Sequence, residues 1–308
     1  MIFEQIIIIG SGTIASNILE SLLRYQPYLF TISYRAHSLS SLQHIAKKHA
    51  IPYLHFHSSQ ELDMFFATLS AHTLIISANN HYLFKESALC KANLKIINFH
   101  NALLPNHKGV NAPVWSIYQQ DNKSGITWHI VNNQIDSGDI LIQKELELSS
   151  DMTSLFLFRV LMNLGFQAFV ELQEDLLLWN LTPQPMLQSN DKPHKARDLP
   201  NSGFLDVTWH EKQMSAFLRS MDAFNVLPKP RLSIQNHVFV IMKYWLNKDK
   251  LAKLATQETM LLQIGNITLA LCLESQSSIK ENNVALANCA HILSPRYDTG
   301  GGGRYPYK

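Results

Sequence analysis

The chain has 308 residues, of which 46% are hydrophobic, and its 26 basic and 24 acidic residues leave a formal net charge of +2. This composition excludes a wholly disordered chain and a disulfide-stapled miniature fold, and the near-neutral charge gives no indication of a nucleic-acid partner. The three cysteines, Cys90, Cys272 and Cys289, are too scattered for a zinc site and indicate a reducing compartment, so we expect a cytoplasmic protein.

The sequence gives no indication of a membrane partner. We find no apolar run that approaches the roughly 18 residues of a membrane span. The start, Met1-Ile2-Phe3-Glu4, lacks the basic region of a signal peptide. We therefore expect no membrane association.

Apolar β-branched runs alternate with segments of helical periodicity along the first half of the chain. Such alternation favours parallel strand pairing with right-handed crossovers, so the sequence predicts an α/β fold with an open, mostly parallel, Rossmann-like sheet. The patterns predict strands over residues 5–9, 28–34, 53–56, 72–77, 95–99 and 125–131 and helices over 16–23, 38–49, 60–69 and about 151–179, the last with Asp151 as its N-cap.

The composition changes after the last of these helices. Residues 183–200 are polar, contain four prolines and show little periodicity, as linkers do. Beyond them the patterns predict a short helix and several strands, which fits a small, mostly β, OB-like domain. The predicted helix covers 211–222, and the predicted strands cover 238–245, 259–264 and 267–272. We predict a catalytic domain over 1–185, a linker over 186–202, the β-rich domain over 203–275 and a flexible tail over 276–308.

Two glycines near the start, Gly10 and Gly12, stand between the first predicted strand and helix in the pattern Gly-x-Gly-x-x-Ala. In dinucleotide-binding proteins these glycines let pyrophosphate approach a helix N-terminus. The acidic residue expected about 20 positions later is absent, and Arg35, which suits a 2′-phosphate, stands there instead. We favour the alternative that the turn needs glycine for its geometry alone.

One pair of histidines, His55 and His57, has the spacing of metal ligands on a strand. No third ligand stands beside them, and a polar strand face explains the pair as well. We therefore predict no metal site.

Asn98 and His100 end a predicted buried strand and share one of its faces, because side chains alternate along a strand. The carboxyl end of a parallel strand borders the ligand crevice. An amide there can stabilise an oxyanion and an imidazole can move protons, a useful pair for acyl transfer. Asp136, on a turn marked by Gly138, can return to the site and raise the basicity of the imidazole. Taken singly, these residues are explained equally well as strand-end polar groups and a turn cap.

Four sequence blocks contain these residues. They are Asn98-x-His100-x-x-Leu103-Leu104-Pro105, Gly109, Gly125-Ile126-Thr127-Trp128-His129 and Ile135-Asp136-Ser137-Gly138-Asp139-Ile140-Leu141. Their order and spacing resemble the core signature of the folate-dependent formyltransferases, which include methionyl-tRNA, glycinamide ribonucleotide and sugar-nucleotide N-formyltransferases. The residues in these blocks are most similar to those of formylation domains associated with peptide synthetases. The chain departs from the family at Ala102, where a serine is common, so any hydrogen bond of that serine is absent.

The resemblance implies the roles of individual residues. Asn98 donates a hydrogen bond to the oxyanion, His100 assists there and carries the proton, and Asp136 holds His100 in the required tautomer. The formyl donor implied is N10-formyltetrahydrofolate, bound between the strand ends and the loop that precedes Asp136. The residues implied in folate binding are Ser77, Asn79, His81, Tyr82, Leu83, Phe84, Leu104, Pro105, Asn132, Asn133, Gln134 and Ile135.

The acceptor is left open by the sequence. The resemblance favours a primary amine of a small molecule or of an amino-acyl or carrier-bound substrate in secondary metabolism, with a peptide-synthetase module as a possible partner. Methionyl-tRNA is disfavoured, because no basic patch for a polyanion is evident. The alternatives are a sugar-nucleotide N-formyltransferase, a formyltetrahydrofolate hydrolase and a binding domain that has lost its activity.

Overall fold

The computed structural model describes residues 1–34, 41–187, 189, 191–223, 227–246 and 260–273. Arg35, Cys289 and the tail predicted over 276–308 lie outside the described residues. Within these ranges the strands form two sheets, one of seven strands and one of four.

The larger sheet is built mainly from the β-branched runs seen in the sequence. Its strands are β1 (Gln5–Gly10), β2 (Leu29–Tyr34), β3 (Tyr53–Phe56), β4 (Thr73–Ala78), β5 (Leu94–His100), β6 (Lys123–Ile130) and β7 (Ile140–Glu147). They lie in the order β3-β2-β1-β4-β5-β6-β7. The strands from β3 to β5 pair in parallel, whereas β5 with β6 and β6 with β7 are antiparallel. The predicted open, mostly parallel, Rossmann-like sheet is therefore confirmed, with an antiparallel edge added.

No sequence pattern predicted β7, which forms one edge of this sheet. Its side chains alternate between half-buried and exposed, and none is fully buried. Charged residues at Lys144, Glu145 and Glu147 interrupt the apolar run of this strand. A half-exposed edge strand lacks the continuous apolar signal of the central strands, which is why sequence reasoning missed it.

Seven α-helices of the described residues join and cover the strands. They are α1 (Gly12–Ser21), α2 (Ser41–Lys48), α3 (Ser59–Thr68), the single turn α4 (Glu86–Leu89), α5 (Ala112–Gln119), α6 (Ser154–Leu178) and α7 (Glu211–Met221). The larger sheet has a core on each face. On β1, Ile6 and Ile8 pack in the cluster that contains residues of α1, α2 and α6, whereas Ile7 and Ile9 pack with Leu62 of α3. This alternation explains why β1 reads as an unbroken apolar run.

The long helix α6 begins two residues later than the sequence suggested. Thr153 is its N-cap, and its hydroxyl accepts a hydrogen bond from the Phe156 N–H at 3.3 Å. The predicted cap, Asp151, instead accepts a hydrogen bond from the Ser149 hydroxyl at 2.7 Å. Both residues are suitable caps by type, so only the backbone geometry distinguishes them.

By length and composition, α6 is apolar enough to cross a bilayer, contrary to the expectation from the sequence. Its apolar residues Leu157, Leu161 and Phe169 are fully buried in the core of the larger sheet. The Trp128 indole N–H of β6 also donates to the Gly165 carbonyl at 2.9 Å. Packing against the sheet therefore accounts for the apolar character of this helix.

The smaller sheet is antiparallel, with the order β10-β11-β9-β8. Its strands are β8 (Arg231–Ile234), β9 (His237–Trp245), β10 (Met260–Ile264) and β11 (Ile267–Leu273). Phe217 and Leu218 of α7 pack in its core, together with Val114 of α5. Three of these strands match predicted ones. The four-residue strand β8 was not predicted, because it is too short to show a period.

Two described residues of the 183–200 segment, which the sequence suggested as a linker, pair with earlier parts of the chain. Gln184 exchanges two backbone hydrogen bonds with Ile140 at the start of β7, both 2.8 Å long. Ten residues later, His194 forms a β-bridge to Gly109. These contacts place Gln184 beside the start of β7 and His194 beside the loop that contains Gly109.

Candidate active site

Three polar side chains form a row across β4, β5 and β6. Ser77 pairs with Asn98 in the parallel ladder, and Asn98 pairs with His129 in the antiparallel one. The Ser77 hydroxyl donates to Asn98 Oδ1 at 2.7 Å, and Asn98 Nδ2 lies 3.2 Å from His129 Nε2. The strand register therefore fixes the Asn98 amide with its oxygen toward Ser77 and its N–H groups toward His129.

Asp136 lies next to this row. Its Oδ2 is 3.4 Å from His100 Nδ1, and its Oδ1 is 3.5 Å from both Asn98 Nδ2 and His129 Nε2. The Gly109 N–H donates to Oδ2 at 2.8 Å. The structure thus brings together Asn98, His100 and Asp136, which sequence reasoning singled out, around one carboxylate.

The turn that carries Asp136 is held close to β6. Asp136 itself has φ of 46°, in the left-handed region. A Cβ at Gly138 would lie 1.8 Å from the Ile130 carbonyl oxygen, so only glycine allows this close approach. The sequence therefore places a glycine where the turn must touch the end of β6.

The hydrogen-bond partners define the protonation of the two histidines. Nε2 of His100 lies 2.9 Å from the His107 carbonyl, and Nδ1 of His129 lies 2.9 Å from the Ile130 carbonyl. A carbonyl oxygen only accepts, so each of these nitrogens carries a hydrogen. The nitrogen of His100 that gains and loses a proton is thus Nδ1, which faces Asp136.

Burial and charge act against each other in this pair. Burial raises the pKa of Asp136, but His100, His129 and the Gly109 amide outweigh it and hold that pKa well below its usual range. Burial lowers the pKa of His100, and the Asp136 carboxylate opposes this shift. Asp136 is therefore ionised at neutral pH and is placed to stabilise a proton on His100 Nδ1.

Thr127 holds the loop that follows His100. Its hydroxyl donates to the Ala102 carbonyl at 2.7 Å and accepts from the Leu104 N–H at 3.1 Å. Ala102 is 1% exposed, and its small side chain is packed in the interior. The loop is thus fixed by backbone bonds to Thr127, which do not need the serine hydroxyl common in the family.

The residues implied in folate binding fall into two groups. Those of the first group are already hydrogen-bonded or at least partly buried. The Ser77 hydroxyl is hydrogen-bonded to Asn98, and Asn79 is hydrogen-bonded to Ser11. The Tyr82 hydroxyl donates to Asp63, and the Tyr82 ring packs in the same core as Phe84. His81 and Pro105 are half-buried and Leu104 is buried. The exposed ones are Leu83, Asn132, Asn133, Gln134 and Ile135. Of the latter, Leu83 and Ile135 present apolar surface to solvent, at 61% and 41% exposure.

Sequence reasoning gave no role to several residues of this site. His129 stood within a quoted block, and its register opposite Asn98 is the signal that identifies it. His107 accepts from His100 through its carbonyl, while its own ring bonds to Asp121 Oδ2 at 2.7 Å. Because these roles depend on backbone atoms and on strand pairing, residue type alone does not reveal them.

The Gly10-x-Gly12 turn lies at the ends of β1 and β4. A Cβ at Gly10 would lie 1.9 Å from the Ala78 carbonyl oxygen, and Gly12 has φ of +73°. The Ser11 hydroxyl donates to the Asn79 carbonyl at 2.9 Å, next to the helix N-terminus. Backbone geometry therefore accounts for both glycines.

His55 Nδ1 lies 2.7 Å from the Ser33 hydroxyl, and its ring contacts that of His57. Among the described residues, no group of three or more His, Cys, Asp or Glu side chains is arranged to hold a metal ion. The two histidines are part of a polar strand end.

Part of the chain is similar in sequence to known formyltransferases. Residues 33–172 match the family model described as formyl transferase. Over 168 residues the chain is 28% identical to the GDP-perosamine N-formyltransferase of Brucella melitensis, covering 54% of this chain and 63% of that protein. Over 180 residues it is 29% identical to the methionyl-tRNA formyltransferase of Desulfotalea psychrophila, covering 56% and 55%. The chain thus spans less than two thirds of the length of either relative.

Two solved structures share the fold over most of the chain. WlaRD, a sugar 3N-formyl transferase solved in the presence of dTDP and 5-N-formyl-THF, has a TM-score of 0.64 at 18% identity and covers 89% of this chain and 99% of its own. The N-formyltransferase of Helicobacter canadensis has a TM-score of 0.65 at 17% identity, with coverages of 88% and 99%. The part of the chain that matches the formyl transferase family model, residues 33–172, contains Asn98, His100 and Asp136.

Proposed function

We propose that the protein is an N-formyltransferase that moves the formyl group of N10-formyltetrahydrofolate to a primary amine of a small molecule. The observation that carries the proposal is the carboxylate of Asp136, which lies within 3.5 Å of both the Asn98 amide and the His100 imidazole. An oxyanion donor, a proton carrier and a charge that stabilises the carrier are the groups that acyl transfer to an amine requires.

Each of these side chains has a distinct task in the proposed reaction. Asn98 Nδ2 donates to the oxygen of the formyl group as negative charge develops there, exchanging its long 3.5 Å contact with Asp136 for this one. His100 Nδ1 takes the proton that the attacking amine loses, and Asp136 stabilises the resulting imidazolium. The amine–formyl bond forms, the bond from the formyl carbon to the folate nitrogen breaks, and His100 returns the proton to that nitrogen.

The residues around the site fit a folate. The co-substrate carries its formyl group on a nitrogen that is attached to an aromatic ring, and the faces of that ring are flat and largely apolar. Leu83 follows β4 and Ile135 precedes Asp136, and both leave much of their apolar surface exposed. Burial of such side chains by a ligand is favourable. These two are therefore the residues that we propose to contact the folate, with the polar loop Asn132 to Gln134 beside them.

A sugar-nucleotide amine is the acceptor that we favour. The support is the similarity to a GDP-perosamine N-formyltransferase and the shared fold with two sugar N-formyltransferases along nearly the whole length of those chains. A carrier-bound acceptor in a peptide synthetase, which the wording of the sequence blocks suggested, has no such support. The near-neutral charge of the chain still argues against a tRNA acceptor.

An assay with four acceptor conditions tests this function. The purified chain is given N10-formyltetrahydrofolate with an amino-sugar nucleotide, with free amino acids, with a carrier-bound aminoacyl group, or without any amine. We expect tetrahydrofolate release and a formylated product, identified by mass spectrometry, with the amino-sugar nucleotide only. The variant His100→Ala gives the background rate.

The other outcomes identify the alternatives. Release without amine indicates a formyltetrahydrofolate hydrolase, in which water replaces the amine. Transfer to the carrier-bound group restores the peptide-synthetase interpretation. Folate binding without turnover under any condition indicates a domain that has lost its activity.

A further inference from the structure

The 183–200 segment lies directly on a short loop of the candidate active site. The His194 N–H donates to the Lys108 carbonyl at 2.8 Å, and the Val110 N–H donates to the His194 carbonyl at 3.1 Å. These two bonds lie on either side of Gly109. The segment thus holds the backbone of the loop at the residue whose N–H reaches Asp136.

Gly109 is adapted to this contact. Its φ is +88°, and a Cβ on it would lie 2.3 Å from the His194 carbonyl oxygen. A side chain is therefore excluded both by backbone conformation and by the approach of His194. The backbone of the loop at Gly109 is therefore packed directly against the backbone of His194.

The ring of His194 adds a second hold on the loop. It stacks on the Trp115 ring of α5 with centroids 4.2 Å apart and planes 6° from parallel. It also lies nearly parallel to the His107 ring, at 5.9 Å and 22°. The His107 ring is in turn bonded to Asp121, which also accepts from the Ser116 hydroxyl of α5. Two aromatic contacts and two hydrogen bonds to Asp121 therefore tie the loop to α5.

The loop supplies one partner to each member of the candidate catalytic pair. The His107 carbonyl accepts from His100 Nε2, which makes Nδ1 the titrating nitrogen. The Gly109 N–H donates to the Asp136 oxygen that faces that nitrogen. A shift of the loop would change both contacts at once.

We propose that His194 is a positioning residue, which holds residues 107–109 so that His100 keeps Nδ1 toward an ionised Asp136. Its ring does this by stacking on Trp115, and its backbone by the bridge to Gly109. The catalytic consequence rests on the proposed function, whereas the effect on the loop does not. The segment thereby completes the active site from outside the matched residues 33–172.

The test compares His194→Ala, which loses the stack, with His194→Phe, which keeps a flat ring and the backbone bonds. His44→Ala, at an exposed histidine of α2, is the matched control. For His194→Ala we expect kcat to fall by about 10-fold to 10²-fold with little change in KM, the size of effect that a small misplacement of catalytic groups causes. His194→Phe should retain most of kcat, and the control should match the wild type.

Hydrogen exchange of the Gly109 amide, followed by NMR without any substrate, gives a readout apart from activity. We expect faster exchange in His194→Ala and unchanged protection in His194→Phe. Unchanged exchange in His194→Ala, or loss of kcat in a folded His194→Phe, would overturn the proposal, the latter by showing that a ring nitrogen acts directly. If His194→Ala does not fold, the kcat and the Gly109 amide exchange of His194→Phe alone decide the proposal. Absence of formyl transfer by the wild type would refute the proposed function, while the exchange experiment would still decide whether His194 holds the loop.

Discussion

At the scale of single residues, Asp136 joins most of the candidate site. One of its oxygens faces His100 and accepts from Gly109, and the other faces Asn98 and His129. Its side chain is 12% exposed. A carboxylate in such a place contributes both a shape and a charge, and the two contributions can be separated by an isosteric change.

We predict that Asp136→Asn lowers kcat/KM by at least about 10²-fold, because it keeps the shape and removes the charge that stabilises a protonated His100. The carboxylate raises the pKa of His100 against the effect of burial, so its loss lets that pKa fall further. The acidic limb of the pH profile of kcat/KM, where His100 becomes protonated, should therefore move to lower pH.

Steady-state kinetics across pH and a thermal melt test this prediction. Because asparagine retains the size of aspartate, we expect the stability to change by no more than about 0.5 kcal/mol. An active variant with an unshifted acidic limb would show that Asp136 only shapes its turn.

We predict that Asn98→Ala chiefly lowers kcat, by on the order of 10²-fold, and leaves KM nearly unchanged, because the amide acts on charge that appears in the transition state. Kinetics on the purified variant check this, with Asn163→Ala at an exposed position of α6 as the control. A rise in KM at constant kcat would place Asn98 in substrate binding instead.

Asn98, His100 and Asp136 were selected from the sequence by the family resemblance of the blocks that contain them, because their residue types alone fit a strand end and a turn cap equally well. His129 was not selected, because its role follows from its register opposite Asn98. Gly109 and His107 act through backbone atoms, and their importance depends on loop geometry that no residue type encodes. The roles of side chains can thus be inferred from sequence motifs, whereas the roles of backbone N–H and carbonyl groups can be identified only in the structure.

At the scale of elements, β5 and α6 pack closely against each other at Gly165. A Cβ at Gly165 would lie 2.1 Å from the Phe99 ring, and the Gly165 carbonyl accepts from the Trp128 indole. Phe99 follows Asn98 in β5 and points to the opposite face. The packing of α6 therefore sets the position of the strand that carries the site.

We predict that Gly165→Ala destabilises the protein by about 1–3 kcal/mol, the usual cost of overpacking a rigid core, although alanine is the better helix former. Urea unfolding followed by circular dichroism measures this change. Asn163→Ala, two residues away on the exposed face, should be neutral or slightly stabilising. Equal stability of Gly165→Ala and the wild type would show that Phe99 has room to move.

The elements that sequence reasoning predicted are those with a strong periodic or apolar signal, such as β1, β4 and β5. The missed elements are β7, β8, α5 and the single turn α4. β7 is a half-exposed edge strand, β8 has four residues, and α5 begins after a left-handed Asn111 with a proline in its first turn. The 183–200 segment has the composition of a linker, and that composition does not predict the β-bridge between His194 and Gly109.

At the scale of the whole molecule, the ends of β1, β4 and β5 offer two places where a ligand of an α/β sheet could bind. The turn at Gly10 and Gly12 is in contact with Ser11 and Asn79, which hydrogen-bond to each other across the helix N-terminus. The other place is the crevice beside Asn98 and Asp136. The arrangement of polar groups favours the second.

We predict that the protein binds a reduced folate and does not bind NADP(H). Calorimetric titration with a tetrahydrofolate analogue and with NADP(H) checks this, and Ile135→Ser, which removes exposed apolar surface beside Asp136, should weaken the folate affinity. Tight binding of NADP(H) would instead assign a nucleotide role to the glycine turn.

At its carboxyl end, strand β5 carries the candidate site on one face and the core on the other, with Asn98 and His100 alternating with Ile97 and Phe99. A substitution on the polar face can thus abolish chemistry while the fold survives. An insertion or deletion of one residue would exchange the two faces and destroy both together. In evolutionary terms, substitutions in descendants of this chain can remove activity step by step while the fold is kept. Insertions and deletions within β5 are not tolerated, because they disrupt the site and the core together.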